Sequence, residues 1–269
     1  MVPEDHTRAG GRRILGLSGP ERNKGFTSRL PKGQELAKMP QMTNENPRPG
    51  LRIVGLLGGI GSGKSTVSCF LAEMLGQKAL LLDADAEVGA LLANEEVALQ
   101  VAGILGRGVL RPDGLLDRRT VAGLVFDDPA ARRELEGIIH PAVRSSLFNR
   151  LRTLEQTGEA AWAILDAPLL IESGLDQACD FLLFVDVPEA DRQQRACNRH
   201  GWSEDEWRAR ESAQIPLKTK KNRADAILAN TGNLEALRSA LAPHLGAILS
   251  LAPRPLQDRW PETGPDSPT

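Results

Sequence analysis

The chain has 269 residues, 41% of them hydrophobic and 25% charged, with a formal net charge of −2; that is enough for one large α/β domain with insertions, or for two domains. The near-neutral charge leaves no basic footprint for nucleic acid, and the longest apolar runs are too short for a membrane span. The 3 cysteines, Cys69, Cys179 and Cys197, show neither metal spacing nor a disulfide framework, which favours a reducing, cytoplasmic setting.

Residues 1–48 are rich in Gly, Pro, Asn and charged residues without sustained periodicity, the composition of a disordered extension. They lack the apolar stretch of a secretory signal, and their acidic residues argue against a transit peptide. A start at Met42 or Met39 is therefore expected, with the folded domain over 49–252.

The first apolar run, Ile53, Val54, Leu56 and Leu57, feeds directly into G-x-x-x-x-G-K-S from Gly58 to Ser65. This is a phosphate-binding loop. Glycines let backbone N–H groups approach the phosphates of a nucleoside triphosphate, and the helix that follows presents its positive end to them. Lys64 adds a point charge, and the Ser65 hydroxyl is a Mg²⁺ ligand in such loops. Val67, Phe70, Leu71 and Leu75 then recur with helical spacing,. Cys69, within that helix, reads as a small core residue.

A second strand, Ala79 to Leu82, ends at Asp83-Ala84-Asp85. If the chain stays extended, both carboxylates point the same way and face the phosphate loop on the neighbouring strand. One would then accept a proton from an attacking hydroxyl and the other hold Mg²⁺. The alternative is a solvated turn or a helix N-cap.

Ala86 to about Gln156 reads as helical, broken at Gly106-Arg-Gly108 and Pro112-Asp-Gly114. We take 86–158 as a helical, substrate-binding insertion. His140 falls near its end; a lone histidine is more often a structural hydrogen-bonder, and no Ser/His/Asp or Cys/His set accompanies it. The third strand, 161–165, ends at Asp166-Ala-Pro168. Asp166 either orders Mg²⁺ in the Walker B manner or caps a loop. The fourth, 181–185, ends at Asp186-Val-Pro188, where Pro188 and Glu189 mark a helix start and make Asp186 structural.

In the charged helix from Glu189 to His200, Arg192, Arg195 and Arg199 share a face,. Either that face is solvated, or it belongs to a lid that carries guanidinium groups to a transferring phosphoryl. Lys218, Lys220, Lys221 and Arg223 extend the basic stretch, so 190–223 is the candidate lid. A short strand, 226–228, ends at Asn230-Thr-Gly232, a last helix covers 234–249, and the Pro-rich segment 253–269 reads as a disordered tail. Strands alternating with helices imply an α/β fold with a P-loop NTPase core: a parallel sheet covered by helices on both faces, with ligands at the C-terminal strand ends.

Together these motifs resemble the dephospho-coenzyme A kinase family. The resemblance runs from about Leu51 to Leu249. It rests on Gly-Leu-Leu-Gly-Gly-Ile-Gly-Ser-Gly-Lys-Ser-Thr (55–66), Asp-Ala-Asp (83–85), Asp-Gly-Leu-Leu-Asp-Arg (113–118), Ile-Ile-His-Pro (138–141), Asp-Ala-Pro-Leu-Leu-Ile-Glu-Ser-Gly-Leu (166–175), Phe-Val-Asp-Val-Pro (184–188), Gln-Ile-Pro (214–216) and Ala-Asp-Ala-Ile-Leu-Ala-Asn-Thr-Gly (224–232). It implies transfer of phosphate from ATP, with Mg²⁺, to the ribose 3′-hydroxyl of dephospho-coenzyme A. Gly61, Ser62, Gly63, Lys64, Ser65 and Thr66 would bind ATP, together with Arg199 and Asn230. Asp85 would be the general base, with Lys64 and Arg195 acting on the phosphoryl group. Asp83, Arg118, His140, Pro168 and Glu172 would lie at or near the acceptor. One departure is visible: the family often carries a basic residue near the position of Gly89. The expected partners are these two substrates, with no nucleic acid and no membrane, on a monomer, an oligomer remaining open.

Two other readings compete. Another small-molecule kinase, of the shikimate or gluconate type, shares a phosphate loop and an acidic strand end. A regulatory P-loop NTPase would carry a guanine-reading N-K-x-D motif or an ATPase glutamate beside the Walker B carboxylate. The motif is absent, and no such glutamate follows Asp166.

Overall fold

A period of two in the apolar runs builds the sheet. In β1 (Arg52–Leu57), Ile53 and Leu57 enter one core cluster while Val54 and Leu56 enter the other, as alternation on a strand buried on both faces requires. The computed structural model describes residues 50–261, and the expectations for residues 1–48 and 262–269 lie outside them. Four further strands, β2 (Ala79–Asp83), β3 (Trp162–Asp166), β4 (Phe181–Asp186) and β5 (Ala226–Ala229), complete a sheet of order β2-β3-β1-β4-β5. Every pairing is parallel. All C-terminal strand ends therefore share one edge, where an α/β sheet gathers its ligands.

One face of the sheet is covered by α1 (Lys64–Leu75) and α9 (Leu234–Leu249), through Val67, Leu71, Leu237 and Leu241. The other packs against the insertion: α2 (Ala84–Leu91), α3 (Glu95–Leu105), α4 (Arg118–Asp127) and α5 (Pro129–Thr157). Its helix starts are written locally. Asn94, Asp117 and Asp128 each accept two backbone N–H groups at an N-cap, satisfying donors that a helix end leaves open. The two breaks foreseen in this region are present as Gly106 and the loop closed by the Leu110–Leu116 bridge. With 29 residues, α5 is about 44 Å long at the standard rise. It lays Leu135, Ile139, Val143, Leu147 and Leu151 along its buried side. Beyond β4 come α6 (Glu189–His200), α7 (Glu204–Ser212) and α8 (Leu217–Arg223). Among the described residues no single helix is long and apolar enough to cross a membrane.

Two expectations change. The stretch from Pro253 is not a free tail as far as Pro261. Leu256 is fully buried, and buried Arg259 pairs with Asp180 and donates to the carbonyls of Leu51 and Ala178. Composition hid this because a few anchoring side chains, all with partners far away in sequence, suffice to dock a polar segment. Cys69, read as a core residue, lies on the exposed side of α1.

Candidate active site

The loop between β1 and α1 is shaped by what packs on it. Gly61 and Gly63 have φ of 83° and 87°, a region that favours glycine. A Cβ at Gly61 would stand 2.1 Å from the Arg192 carbonyl oxygen, and one at Gly63 would stand 2.6 Å from Asn230 Nδ2. The glycines thus serve two ends: they free the amides, and they admit neighbours that brace the loop. Lys64 Nζ donates to the carbonyls of Gly58 at 3.1 Å and Gly59 at 3.2 Å. Desolvation lowers its pKa, opposed by the carboxylates of Asp166, Glu211 and Asp85. The Ser65 hydroxyl stands near enough to the Asp166 carboxylate to favour its charged form, at the end of β3 beside β1. Thr66 follows in the first turn of α1, half-buried, and Ser62 is buried with its hydroxyl unpartnered.

The bracing residues come from afar. Arg192 is not a lid cation. It is 3% exposed, donates to the carbonyls of Val187 and Ile60, and pairs with Glu211. Glu211 also accepts the backbone N–H of Ile60 at 2.9 Å. Asn230, at the end of β5, donates to the Ser62 carbonyl at 2.9 Å, while its own carbonyl accepts from Arg195 Nη2 at 3.1 Å. In the described state its side chain thus grips the loop. Glu211 was missed because it sits among many charges on a surface-like helix, and no spacing sets it apart.

The acidic pair is arranged differently from the extended dipeptide foreseen. The strand ends at Asp83, which becomes the N-cap of α2 and accepts the backbone N–H groups of Asp85 and Ala86. Asp85 lies in the first helical turn. The neighbouring strand is β3, not β1, so Asp83 stands in register with Asp166, and the phosphate loop is one strand further away. Asp85 is an exposed residue whose carboxylate is partly desolvated by its surroundings. That desolvation, reinforced by the negative charges of Asp83 and Asp166, pushes its pKa up to about 6 against the pull of Lys64 and Arg199. Desolvation also raises Asp166. The helix carrying Asp85 is anchored two residues on, where buried Glu87 accepts from Ser146 and Arg150 of α5.

Arg199, exposed near the end of α6, acts on both Asp85 and Asp166. The rest of the basic stretch is largely committed. Lys220 is buried and contacts Glu172, Gln214 and the Pro168 carbonyl. Lys221 pairs with Asp186, and Arg223 with Asp176. Glu172 also accepts the backbone N–H of Ile215 at 3.0 Å, so the Pro168–Glu172 turn is fastened to the segment before α8. Arg118 donates to the Gly89 carbonyl, and a Cβ at Gly89 would meet Arg118 Nη1 at 4.0 Å. A guanidinium thus stands over the position where the resembling family often has a basic residue. Beside it opens a cavity of about 360 Å³, lined in part by Leu92, Leu115, Leu116, Arg111 and Arg119. His140 is half-buried on α5.

The structure therefore brings Lys64, Ser65, Asp85, Asp166 and Arg199 to one cleft. Arg118 borders a cavity past the far end of α2, while Pro168 and Glu172 form an adjoining turn. Among the described residues no cluster of three or more His, Cys, Asp or Glu is placed to hold a metal ion. The Ser65 hydroxyl and the Asp166 carboxylate nevertheless form a hard-oxygen pair. That suits Mg²⁺, which keeps several waters and takes few protein ligands when phosphates share it.

A family model described as dephospho-CoA kinase matches residues 52–236. A dephospho-CoA kinase of Symbiobacterium thermophilum is 43% identical over 190 residues, covering 70% of this chain and 78% of that protein. One from Geobacillus kaustophilus is 39% identical, covering 70% of this chain and 92% of the relative. Among solved structures, TT1252 from Thermus thermophilus aligns with a TM-score of 0.61 at 38% identity, over 74% of this chain and 98% of that one. The dephospho-CoA kinase from Campylobacter jejuni, at 24% identity and a TM-score of 0.56, shares the fold.

Proposed function

The chain belongs to the dephospho-CoA kinase family and phosphorylates dephospho-CoA with ATP, and we propose that the cleft between the phosphate loop and the start of α2 is where it does so. One observation carries this assignment of the site. Asp83, which caps the helix carrying Asp85, stands in register with Asp166 on the strand beside the one that leads into the phosphate loop, so carboxylates and phosphate-binding groups share one edge of the sheet.

In this reading the ATP phosphates lie on the amides of residues 61–66, and Lys64 exchanges its loop carbonyls for phosphate oxygens. Ser65 and Asp166 would hold Mg²⁺, which supplies charge neutralisation between the phosphates. Asp85 accepts the proton of the acceptor's ribose 3′-hydroxyl. Near neutral pH it is ionised, yet basic enough for the task. Arg199, with Arg195 behind it on the same helix, offsets the charge that develops on the phosphoryl oxygens. Little covalent chemistry is asked of the protein, since phosphoryl transfer is mostly positioning and charge stabilisation. The acceptor's anionic diphosphate meets Arg118, and its arm extends into the neighbouring cavity. Asn230 acts through the Ser62 carbonyl, and Glu172 and Pro168 through the turn they form. The same reading puts the protein in the cytoplasm, as a monomer or an oligomer, with neither nucleic acid nor membrane as a partner.

The test is ATP consumption with dephospho-CoA, set beside shikimate and adenosine. Stimulation by dephospho-CoA alone is expected; stimulation by another acceptor instead would overturn the reading.

A further inference from the structure

We propose that Arg144, fixed by the docked C-terminal strap of residues 253–261, is a positioning residue for the acceptor half of the site. The proposal rests on the reading that the Pro168–Glu172 turn lies at the acceptor, forming a wall of its site, and adds what holds that wall in place.

Arg144 lies midway along α5, and its guanidinium bridges two segments. Nη1 donates to the Ser173 carbonyl at 2.9 Å, and Nη2 donates to the Pro261 carbonyl at 2.5 Å. The group also lies 5.7 Å from the Trp260 ring, which in turn stands 5.2 Å from Phe148, one helical turn further along α5.

On the strap side the support is dense. Arg259 donates to the Leu51 carbonyl at 2.8 Å and pairs with buried Asp180. Arg254 reaches the same carboxylate at 2.8 Å. The Leu256 N–H is accepted by Glu155 of α5 at 2.9 Å. Asp180 accepts the Ile53 N–H at 2.7 Å. The strap is thereby tied to β1, the sheet's central strand, and to the insertion's longest helix.

On the site side, Ser173 closes a single rigid turn. Its N–H donates to the Leu169 carbonyl at 2.9 Å, and its hydroxyl to the same oxygen at 2.7 Å. A shift of the Ser173 carbonyl therefore moves Glu172 and its neighbours as a unit. Lys220 and Ile215 hold this turn from one side, and Arg144 holds it from the other. The role needs a planar fork able to serve two carbonyls and lie against a ring; lysine offers a point charge that serves one. Among the described residues Arg144 donates to Ser173 and Pro261, while the phosphate loop is braced by Arg192, Glu211 and Asn230, so the effect should fall mainly on the acceptor.

The experiment measures steady-state kinetics on full-length Arg144→Ala, Arg144→Lys and Trp260→Ala, varying dephospho-CoA and ATP separately and recording each melting temperature. We expect Arg144→Ala to raise KM for dephospho-CoA about tenfold, the size of one lost charged hydrogen bond, with KM for ATP within about twofold. Arg144→Lys should recover part of this, and Trp260→Ala should show the same split more weakly. A parallel rise in both KM values, or a lowered melting temperature with both KM values unchanged, would overturn the proposal. If Arg144→Ala does not fold, the other two variants decide by the same split. Glu172→Gln separates the layers. A raised acceptor KM there, with none in Arg144→Ala, overturns the positioning role and keeps the acceptor wall. No change in either removes the wall and the proposal together.

Discussion

Around the phosphate loop, side chains from three distant elements close on the backbone: Arg192 from α6, Glu211 from α7 and Asn230 from the end of β5. Across the cleft, Asp85 rises from the first turn of a short helix, exposed and with like charges for neighbours. One half of the site is over-determined, with glycines packed so closely that a methyl group does not fit. The other holds its working group where the fold gains least from it. The contrast has a physical reason. A phosphate cradle works by preorganised dipoles and loses if they must reorganise. A base works by having a pKa near the operating pH, which requires incomplete satisfaction.

The predictions probe this contrast in order of size. Lys64→Ala should leave no turnover above background while the fold persists, because the loop is braced by other groups; thermal melting beside an ATP assay checks both. If the fold collapses as well, the loop is less independent of its lysine than the geometry says.

Asp85→Asn should cut kcat by about 10²–10⁴-fold and leave ATP affinity within about twofold. The sign of its linkage is definite. Its folded pKa of about 6 lies above the ordinary carboxylate value, so its contribution to stability is present at low pH and lost as pH rises through about 6. Asp85→Asn should therefore melt higher than the parent at pH 8, with the gain gone below about pH 4. The parent's rate should rise with pH through about 6 and then level off. Equal melting at both pH values would mean that the carboxylate is not held at the expense of the fold.

Asn230→Ala leaves the Ser62 carbonyl without its partner. A loss of about 1–3 kcal/mol in stability, with a raised KM for ATP and an unchanged KM for dephospho-CoA, would locate the bracing in the ATP half. The smallest effect belongs to Asp83→Asn. Asparagine still caps α2, but its neutral amide removes a charge that raises Asp85, so the acidic limb of the pH–rate profile should move to lower pH. An unmoved limb would leave desolvation and the Asp166 charge as the causes.

Much of this is legible in the sequence. The phosphate loop announces itself because its chemistry is local: glycine spacing, a lysine, a hydroxyl and the strand and helix on either side. The N-caps of the insertion are equally local, and the N-cap alternative for the Asp83–Asp85 pair, open at the sequence level, is the one realised by Asp83. Arg192, Arg195 and Arg199 share a helical face in both views, yet they part company in space. Arg192 is buried against Glu211, Arg195 holds a strand-end carbonyl, and Arg199 faces the cleft. Periodicity assigns a face but not what lies across from it.

By itself, then, the sequence determined the strands, the loop, the order of elements and the family, because those depend on neighbours a few residues apart. Only the tertiary structure decided that β3 lies between the acidic helix and the phosphate loop, that Glu211 and Asn230 brace the loop, and that residues 253–261 dock rather than trail. Each of these depends on distant partners, 79 residues apart for the Arg259–Asp180 pair and 168 for Asn230 and Ser62. Such contacts form when separate elements pack, and a local pattern carries no record of which ones will meet.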